Sequence, residues 1–200
     1  MDPVYVVTDI EADGPVAGEH SMLAFASAAV TAAGDEVGTF EAVLAPLEDA
    51  RADPGTMAWF ATQPEAWAAA TNDPRPPAEV MADYVAWVGA LPGKPIFAAH
   101  PIAFDGIWID YYLRRFAGRR LTQGPRDTTP LFYDSGLCIR SVAMVRLGWP
   151  LADCHPDNYP PAWLGEHAHS HRAIDDARGY ASLLVKLLAD FRTDTRLKTR

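Results

Sequence analysis

Short apolar runs separated by polar or proline-rich stretches dominate the first hundred residues. Residues 4–8 and 22–30 are nearly continuous apolar and β-branched runs, a pattern typical of strands buried on both faces. A Gly-Asp turn signal precedes the alternating segment 39–47, so we expect the second and third strands to form a hairpin. The run at 94–100 predicts a further buried strand. These segments together predict four strands of a sheet.

Helix-compatible patterns begin after the third predicted strand. The segments are 53–63, 64–71, 76–91, about 104–116 with a stop at Gly118, and 136–148. The segment 126–133 predicts a short fifth strand, which Pro130 would restrict to a sheet edge. Residues 149–170 predict an irregular loop, and a last helix is expected from about His171 through Leu188. This order predicts an α/β fold with a mixed sheet flanked by helices.

Chain length and composition narrow the class of protein. Two hundred residues suit a single domain, which we place at 1–192, followed by a short tail at 193–200. The two cysteines show no CxxC spacing, which argues against a disulfide framework and a thiolate zinc site. No apolar run reaches membrane-spanning length, and the first residues lack a basic segment followed by an apolar one. We therefore expect a cytoplasmic protein with no membrane partner.

The net charge of −9 is unevenly distributed along the chain. Residues 1–100 contain three basic and fifteen acidic residues, whereas the second half carries a net charge of +3. This balance argues against a protein that coats nucleic acid by bulk electrostatics, so any polyanion site would be local. The densest basic group is Arg114, Arg115, Arg119, Arg120 and Arg126. Two interpretations of this group stay open, a solvated helix end and contact with phosphates.

Three acids lie where predicted strands end. Asp9 and Glu11 are two residues apart at the end of the first strand, so both side chains point to one face of the sheet. Asp105 follows the strand at 94–100 and opens the next helix. Because strand ends border the ligand crevice in folds of this class, the three carboxylates are expected near one edge. The alternatives are that the strand acids simply enter water and that Asp105 only complements the helix dipole.

The last predicted helix contains two adjacent acids, Asp175 and Asp176. Steps of four, seven and eleven from Asp175 reach a small and polar stripe, Gly179, Ser182 and Lys186. The same steps from Asp176 reach a largely apolar stripe, Tyr180, Leu183 and Leu187. Asp176 is therefore predicted on the core-facing side, where a carboxylate is more consistent with ligand binding than with solvation.

His171 is the candidate proton acceptor, because histidine titrates near neutral pH. It precedes Asp176 by five residues, which on a regular helix would separate the two by about 140°. Both can face one site only if His171 lies on the incoming loop or first turn, and Ser170 is a suitable N-cap for that geometry. The histidines at 167, 169 and 171 match no familiar zinc spacing. Four carboxylates with one histidine instead favour hard cations such as Mg²⁺ or Mn²⁺.

Three segments resemble the motifs of one nuclease family. "DIEADG" resembles the DxE motif of the DnaQ-like, or DEDDh, 3′–5′ exonucleases. "AHPIAFD" is similar to their second motif, which ends in Phe-Asp at a helix start, and "HRAIDDA" fits the third motif, HxAxxD. The three occur in the family's order over about residues 4–190. The resemblance implies an RNase H-like fold with a five-stranded mixed β-sheet flanked by α-helices.

The resemblance also implies roles for the candidate residues. Asp9, Glu11, Asp105 and Asp176 would bind two divalent metal ions, Mg²⁺ or Mn²⁺, and His171 would be the general base. Asp9 would bridge the ions, Glu11 and Asp176 would complete one site, and Asp105 would support the other. Such a pair of ions, about 4 Å apart, activates water and relieves charge on the leaving oxygen of a phosphodiester. Three positions differ from many relatives, which have Thr, Glu and Asn where this chain has Ala12, Ala24 and Pro101.

The implied activity is release of nucleoside 5′-monophosphates from the 3′ ends of single-stranded RNA or DNA. RNA or short oligonucleotides are favoured, because the acidic first half disfavours binding of a long polymer. Phe104 and Trp108 are expected either to pack in the core or to stack on bases. A non-catalytic nucleic-acid-binding or interaction module and a hydrolase of another phosphate ester are the alternatives. Exonucleases of this family often form dimers, so a homodimer is a further expectation.

Overall fold

A five-stranded sheet with helices on both faces forms the frame of the molecule. The computed structural model describes residues 2–122, 124, 129–165, 167 and 170–193. The strands are β1 (Pro3–Ala12), β2 (Met22–Thr31), β3 (Glu36–Val43), β4 (Lys94–Ala99) and β5 (Leu137–Cys138). The helices are α1 (Pro54–Phe60), α2 (Pro64–Thr71), α3 (Pro77–Ala90), α4 (Ile102–Tyr112), α5 (Ile139–Leu147) and α6 (Ala173–Thr193).

The strand order is β3-β2-β1-β4-β5, which makes β1 the central strand. β2 runs antiparallel to β1 and to β3, so the predicted hairpin is confirmed. β4 is parallel to β1, and β5 is parallel to β4. The predicted five-stranded mixed α/β architecture is therefore confirmed.

The apolar runs of the central strands are explained by burial on both sheet faces. All residues from 22 to 30 of β2 are buried, although their side chains point alternately to opposite faces of the sheet. On one face Val6 and Phe25 pack in a core with residues of α3 and α4, including Trp108. On the other face Val7 packs in a core with residues of α5 and α6, including Leu184. The sheet thus presents the alternate residues of β1 to two different sets of helices.

The fifth strand does not lie where the sequence predicts it. β5 is Leu137–Cys138, at the start of the segment predicted as helix, and it pairs with Ala98 and Ala99 of β4. Residues 129–132 instead bond to Arg120 and Leu121, and Pro130 has no N–H with which to extend a sheet ladder. Residues 126–128 of the predicted strand lie outside the described part of the chain.

The helix predicted at about 104–116 is longer at its start and changes form at its end. It begins at Ile102, and the turn Leu113–Ala117 is π-helical before Gly118 ends it in a left-handed conformation. Most of the tail predicted at 193–200 lies outside the described residues, and the 1–192 domain boundary stays a prediction. Within the described ranges, no helix is both long enough and apolar enough to cross a membrane.

Candidate active site

The end of the central strand carries the first two candidate acids. Asp9 lies opposite Ala26 and Glu11 opposite Ala24 in the β1–β2 ladder. Asp9 and Glu11 share the alternate positions of Val7, on the sheet face that packs against α6, while Ile10 points into the opposite core. The two carboxylates are therefore held side by side by the pleat of β1.

Asp105 reaches the same place from the neighbouring strand. It lies in the first turn of α4, which follows β4, and it is only 3% exposed. The backbone N–H groups of Ile10 and of Asp105 itself favour its charged form, although burial has the larger effect on its pKa. The charge of Asp105 acts on the pKa of both Asp9 and Glu11, so its carboxylate lies beside both of them.

Asp176 enters from the last helix, and the choice between the two adjacent acids is clear in the structure. Asp176 is 4% exposed, and its Oδ1 accepts a hydrogen bond from the backbone N–H of Ser170 at 3.0 Å. Asp175 is half-buried and lies 3.6 Å from the guanidinium of Arg172. The prediction that Asp176 is the core-facing acid is confirmed.

His171 lies on the loop directly before α6. Its backbone is left-handed, with a φ of 55°, and the helix begins two residues later at Ala173. The predicted placement of His171 on the incoming segment is confirmed, but Ser170 is not the N-cap. The helix begins too late for that role, and the Ser170 hydroxyl bonds instead to the Asp175 carboxylate at 3.0 Å.

Three of the candidate residues converge at one point, namely Glu11, His171 and Asp176. Each offers one potential ligand atom, and these three atoms lie within 4.8 Å of one another. The His171 ring is also contacted by Trp59 of α1, edge to face, with ring centroids 4.9 Å apart at 87°. Trp59 is 38% exposed. Sequence reasoning missed this residue, because α1 and His171 are far apart in the chain and meet only through the tertiary fold.

The acids are crowded strongly enough to change their protonation. Burial, followed by the charges of Asp105, Glu11 and Asp176, raises the pKa of Asp9 well above its ordinary value. Burial and the charges of Asp176 and Asp105 raise the pKa of Glu11 to about 8. Burial also raises the pKa of Asp105 to about 7. Mutual repulsion of this kind is relieved either by protons or by a cation.

The donor set fits a divalent metal ion. It consists of carboxylate oxygens with one imidazole nitrogen, which suits hard cations such as Mg²⁺ and Mn²⁺ better than a thiolate-preferring ion. Ligand atoms within 4.8 Å of one another can bind a common ion. The raised pKa values of Asp9 and Glu11 give the same indication, because a cation would stabilise both groups in the charged form.

The aromatic candidates Phe104 and Trp108 lie on α4, next to Asp105 in the sequence. On the β4 side, Phe104 is 40% exposed beside Asp105, whereas Trp108 is 1% exposed, so only Trp108 is a core residue. A groove of about 380 Å³ along α4 includes Ile107 and Arg114 in its lining but none of the four candidate acids.

The arginines of the predicted basic group differ in their surroundings. Arg115 pairs with Asp49 and Arg120 with Asp110, Arg114 and Arg119 are exposed, and Arg126 lies outside the described residues.

Comparison with solved structures shows that the chain has the fold of the DnaQ-like 3′–5′ exonucleases. The nuclease domain of 3′hExo, a DEDDh family member bound to rAMP, aligns over 94% of this chain and 92% of its own length, with a TM-score of 0.64 and 13% identity. E. coli exonuclease I in complex with a dT13 oligonucleotide aligns over 98% of this chain, with a TM-score of 0.67 and 17% identity.

The zinc-bound form of the E. coli exonuclease I complex with single-stranded DNA gives a TM-score of 0.69 at 15% identity. This chain spans only 42% of the length of that enzyme. No family model and no curated protein sequence matches the chain. The similarity to these enzymes is therefore a similarity of fold and not of sequence.

Proposed function

We propose that the protein is a metal-dependent 3′–5′ exonuclease that releases nucleoside 5′-monophosphates from single-stranded nucleic acid. The observation that carries this proposal is the convergence of four acids and His171 at one end of the central strand. The fold supports it, because 3′hExo and E. coli exonuclease I share this arrangement of strands and helices.

In this proposal, Asp9, Glu11, Asp105 and Asp176 hold two divalent ions, Mg²⁺ or Mn²⁺. When bound, such ions lower the pKa of water and stabilise charge on phosphate oxygens. Asp9 would contact both ions, Glu11 and Asp176 would hold one of them, and Asp105 would support the other. The charges of the other three acids all act on the pKa of Asp9, which supports a central role for it.

His171 is proposed as the general base. Its ring lies close to Glu11 and Asp176 and is half-buried, so a proton taken from water can pass on to solvent. The edge-to-face contact with Trp59 restricts the orientation of the imidazole. The neighbouring carboxylates stabilise the imidazolium that forms when the ring takes the proton.

The substrate is proposed to be single-stranded RNA or a short oligonucleotide in preference to long DNA. Trp59 and Phe104 flank the acids with partly exposed rings, which suit stacking on bases. Of the similar structures, 3′hExo is bound to rAMP and E. coli exonuclease I is bound to a dT13 oligonucleotide, so DNA is the direct competitor in the test. The acidic first half of the chain disfavours extended contact with a long polyanion.

The test uses 5′-labelled RNA and DNA of identical sequence with Mg²⁺, Mn²⁺ or EDTA. We expect a ladder that shortens from the 3′ end in either metal, no products in EDTA, and faster shortening of RNA. A substrate blocked by a 3′-phosphate should be cut more slowly if the enzyme requires a free 3′ end. No shortening of either polymer would refute the proposal, and tight binding that persists in EDTA without products would indicate a non-catalytic nucleic-acid-binding module.

A homodimer and a cytoplasmic location are part of the same proposal. Light scattering on the purified chain would report a mass near twice the 21.8 kDa of one subunit if the dimer forms. Fractionation of the producing cells would test the location.

A further inference from the structure

A column of aromatic rings, most of them buried, lies beside the acid cluster. Tyr180 of α6 is 5% exposed, and its ring stacks on the imidazole of His100 with centroids 4.7 Å apart and an interplanar angle of 7°. His100 is 8% exposed and follows the last residue of β4. Two nearly parallel rings in the interior define a fixed separation between the backbone segments that carry them.

The column continues beyond His100 into the loop before α6. His100 Nε2 shares a hydrogen bond of 2.9 Å with the hydroxyl of Tyr159, which is 3% exposed. The Tyr159 ring in turn stacks on Trp149, with centroids 6.0 Å apart and an interplanar angle of 11°. The His100 ring is therefore held on one side by Tyr180 and at its edge by Tyr159.

The positions of these residues connect the column to the candidate ligands. Tyr180 lies four residues after Asp176, which places both on one face of α6. His100 lies at the junction from which β4 leads into α4 and Asp105. Burial, followed by the charges of Asp9, Asp176 and Asp105, raises the pKa of Tyr180, as expected for a phenol beside those carboxylates.

We propose that Tyr180 and His100 are positioning residues whose stacked rings set the separation between Asp176 and Asp105. The inference rests on the proposed metal-binding function of those acids. Four carboxylates that repel one another tend to spread, and the stack joins the two segments that would separate. An aliphatic side chain would fill the space without defining the ring-to-ring distance, so the affinity of the site for divalent ions should depend on the rings.

The test is calorimetric measurement of Mn²⁺ binding to the full-length protein without nucleic acid. Tyr180→Leu should weaken Mn²⁺ binding about tenfold or more, which is the effect usual for residues that orient metal ligands. Tyr180→Phe keeps the ring and should bind Mn²⁺ within about twofold of the original protein. Leu187→Ala is the matched control. It removes buried volume from the same helix two turns further on, and it should lower thermal stability without weakening Mn²⁺ binding.

A double-substitution cycle tests whether the two rings act together. If they act through the stack, His100→Leu combined with Tyr180→Leu should weaken Mn²⁺ binding no more than the stronger single change. Folding of each variant is verified by its thermal unfolding transition. A folded Tyr180→Leu protein with unchanged Mn²⁺ affinity would overturn the inference, as would loss of affinity in Tyr180→Phe equal to that in Tyr180→Leu. Failure of the original protein to bind Mn²⁺ would instead overturn the proposed function.

Discussion

Asp175 and Asp176 are adjacent in the sequence, yet only Asp176 faces the acid cluster. Asp176→Asn should reduce the rate of cleavage about 10³-fold or more, because the proposed metal ligand, worth several kcal/mol of transition-state stabilisation, loses its charge. Asp175→Asn should stay within about fivefold of the original rate, because it weakens a partly exposed ion pair with Arg172 and the hydrogen bond from Ser170, neither of which involves the acid cluster. Initial rates on a labelled oligonucleotide give both values. Equal loss in the two variants would contradict the assignment.

His171 lies close enough to Glu11 and Asp176 to be either a general base or a metal ligand. If His171 is the general base, His171→Gln should lower kcat about 10²- to 10⁴-fold. Binding of Mn²⁺ should change little, because the four carboxylates remain. Single-turnover rates and calorimetry separate the two effects. Loss of Mn²⁺ affinity in His171→Gln would show that the imidazole is a metal ligand instead.

The placement of the candidate residues was partly predictable from local pattern. The two-residue period of a strand places Asp9 and Glu11 together, and the helical stripe selects Asp176 over Asp175. The left-handed backbone at His171 could not be predicted, because it depends on how the loop meets α6. Trp59 likewise contacts His171 only through the packing of α1.

The α1–α2 segment forms one wall of the site and supplies Trp59. Its anchors are the backbone bond from Asp53 N–H to Asp13 C=O at 2.7 Å and the bond from Arg75 N–H to Val43 C=O at 2.9 Å. Phe60, Ala66 and Ala70 pack it against Leu23 of β2. Trp59 is thus presented beside His171 by a segment that is attached at both ends.

Trp59→Ala tests whether this wall contacts the substrate. Loss of base stacking is worth about 1 to 3 kcal/mol, so KM should rise about 5- to 150-fold. Trp59→Phe keeps an aromatic face and should show a smaller rise. Steady-state kinetics on a short oligonucleotide provide the comparison. Unchanged KM and kcat in Trp59→Ala would exclude both a stacking role and an orienting role toward His171.

The strands show where sequence patterns succeed and where they fail. Long, nearly apolar runs such as 22–30, where Ser27 is the one polar residue, predict a strand clearly, because a strand buried on both faces has few polar positions. β5 has only two residues, which is too short to produce a periodic signal. Pairing with Ala98 and Ala99 defines it, and that contact is visible only in the folded chain.

Without metal, the stability of the whole molecule should fall as the pH rises, and bound metal should oppose this fall. The pKa of Glu11 rises from 4.5 to about 8 and that of Asp105 from 3.8 to about 7 on folding. At pH values between the ordinary and the raised pKa of each group, the folded protein therefore binds more protons than the unfolded chain. Stability from these groups is present below their ordinary pKa values and is lost as the pH rises towards 8.

Thermal unfolding in EDTA and in Mn²⁺ measures this linkage. In EDTA, Tm should fall by at least about 4 °C between pH 5.5 and pH 8.5, which corresponds to a change of 1 to 2 kcal/mol for a chain of this size. Added Mn²⁺ should raise Tm more at pH 8.5 than at pH 5.5, because the carboxylates are already charged at the higher pH. A Tm that shifts equally at both pH values on addition of Mn²⁺ would contradict the assignment of these acids as ligands.

The most direct test of the central claim is the position of bound metal. Crystals grown with Mn²⁺ and a nucleoside 5′-monophosphate would be measured at the manganese absorption edge. We predict two anomalous peaks about 4 Å apart, bound by Asp9, Glu11, Asp105 and Asp176, with the phosphate between them and His171. Manganese bound elsewhere on the chain, with no peak among these four carboxylates, would contradict the account.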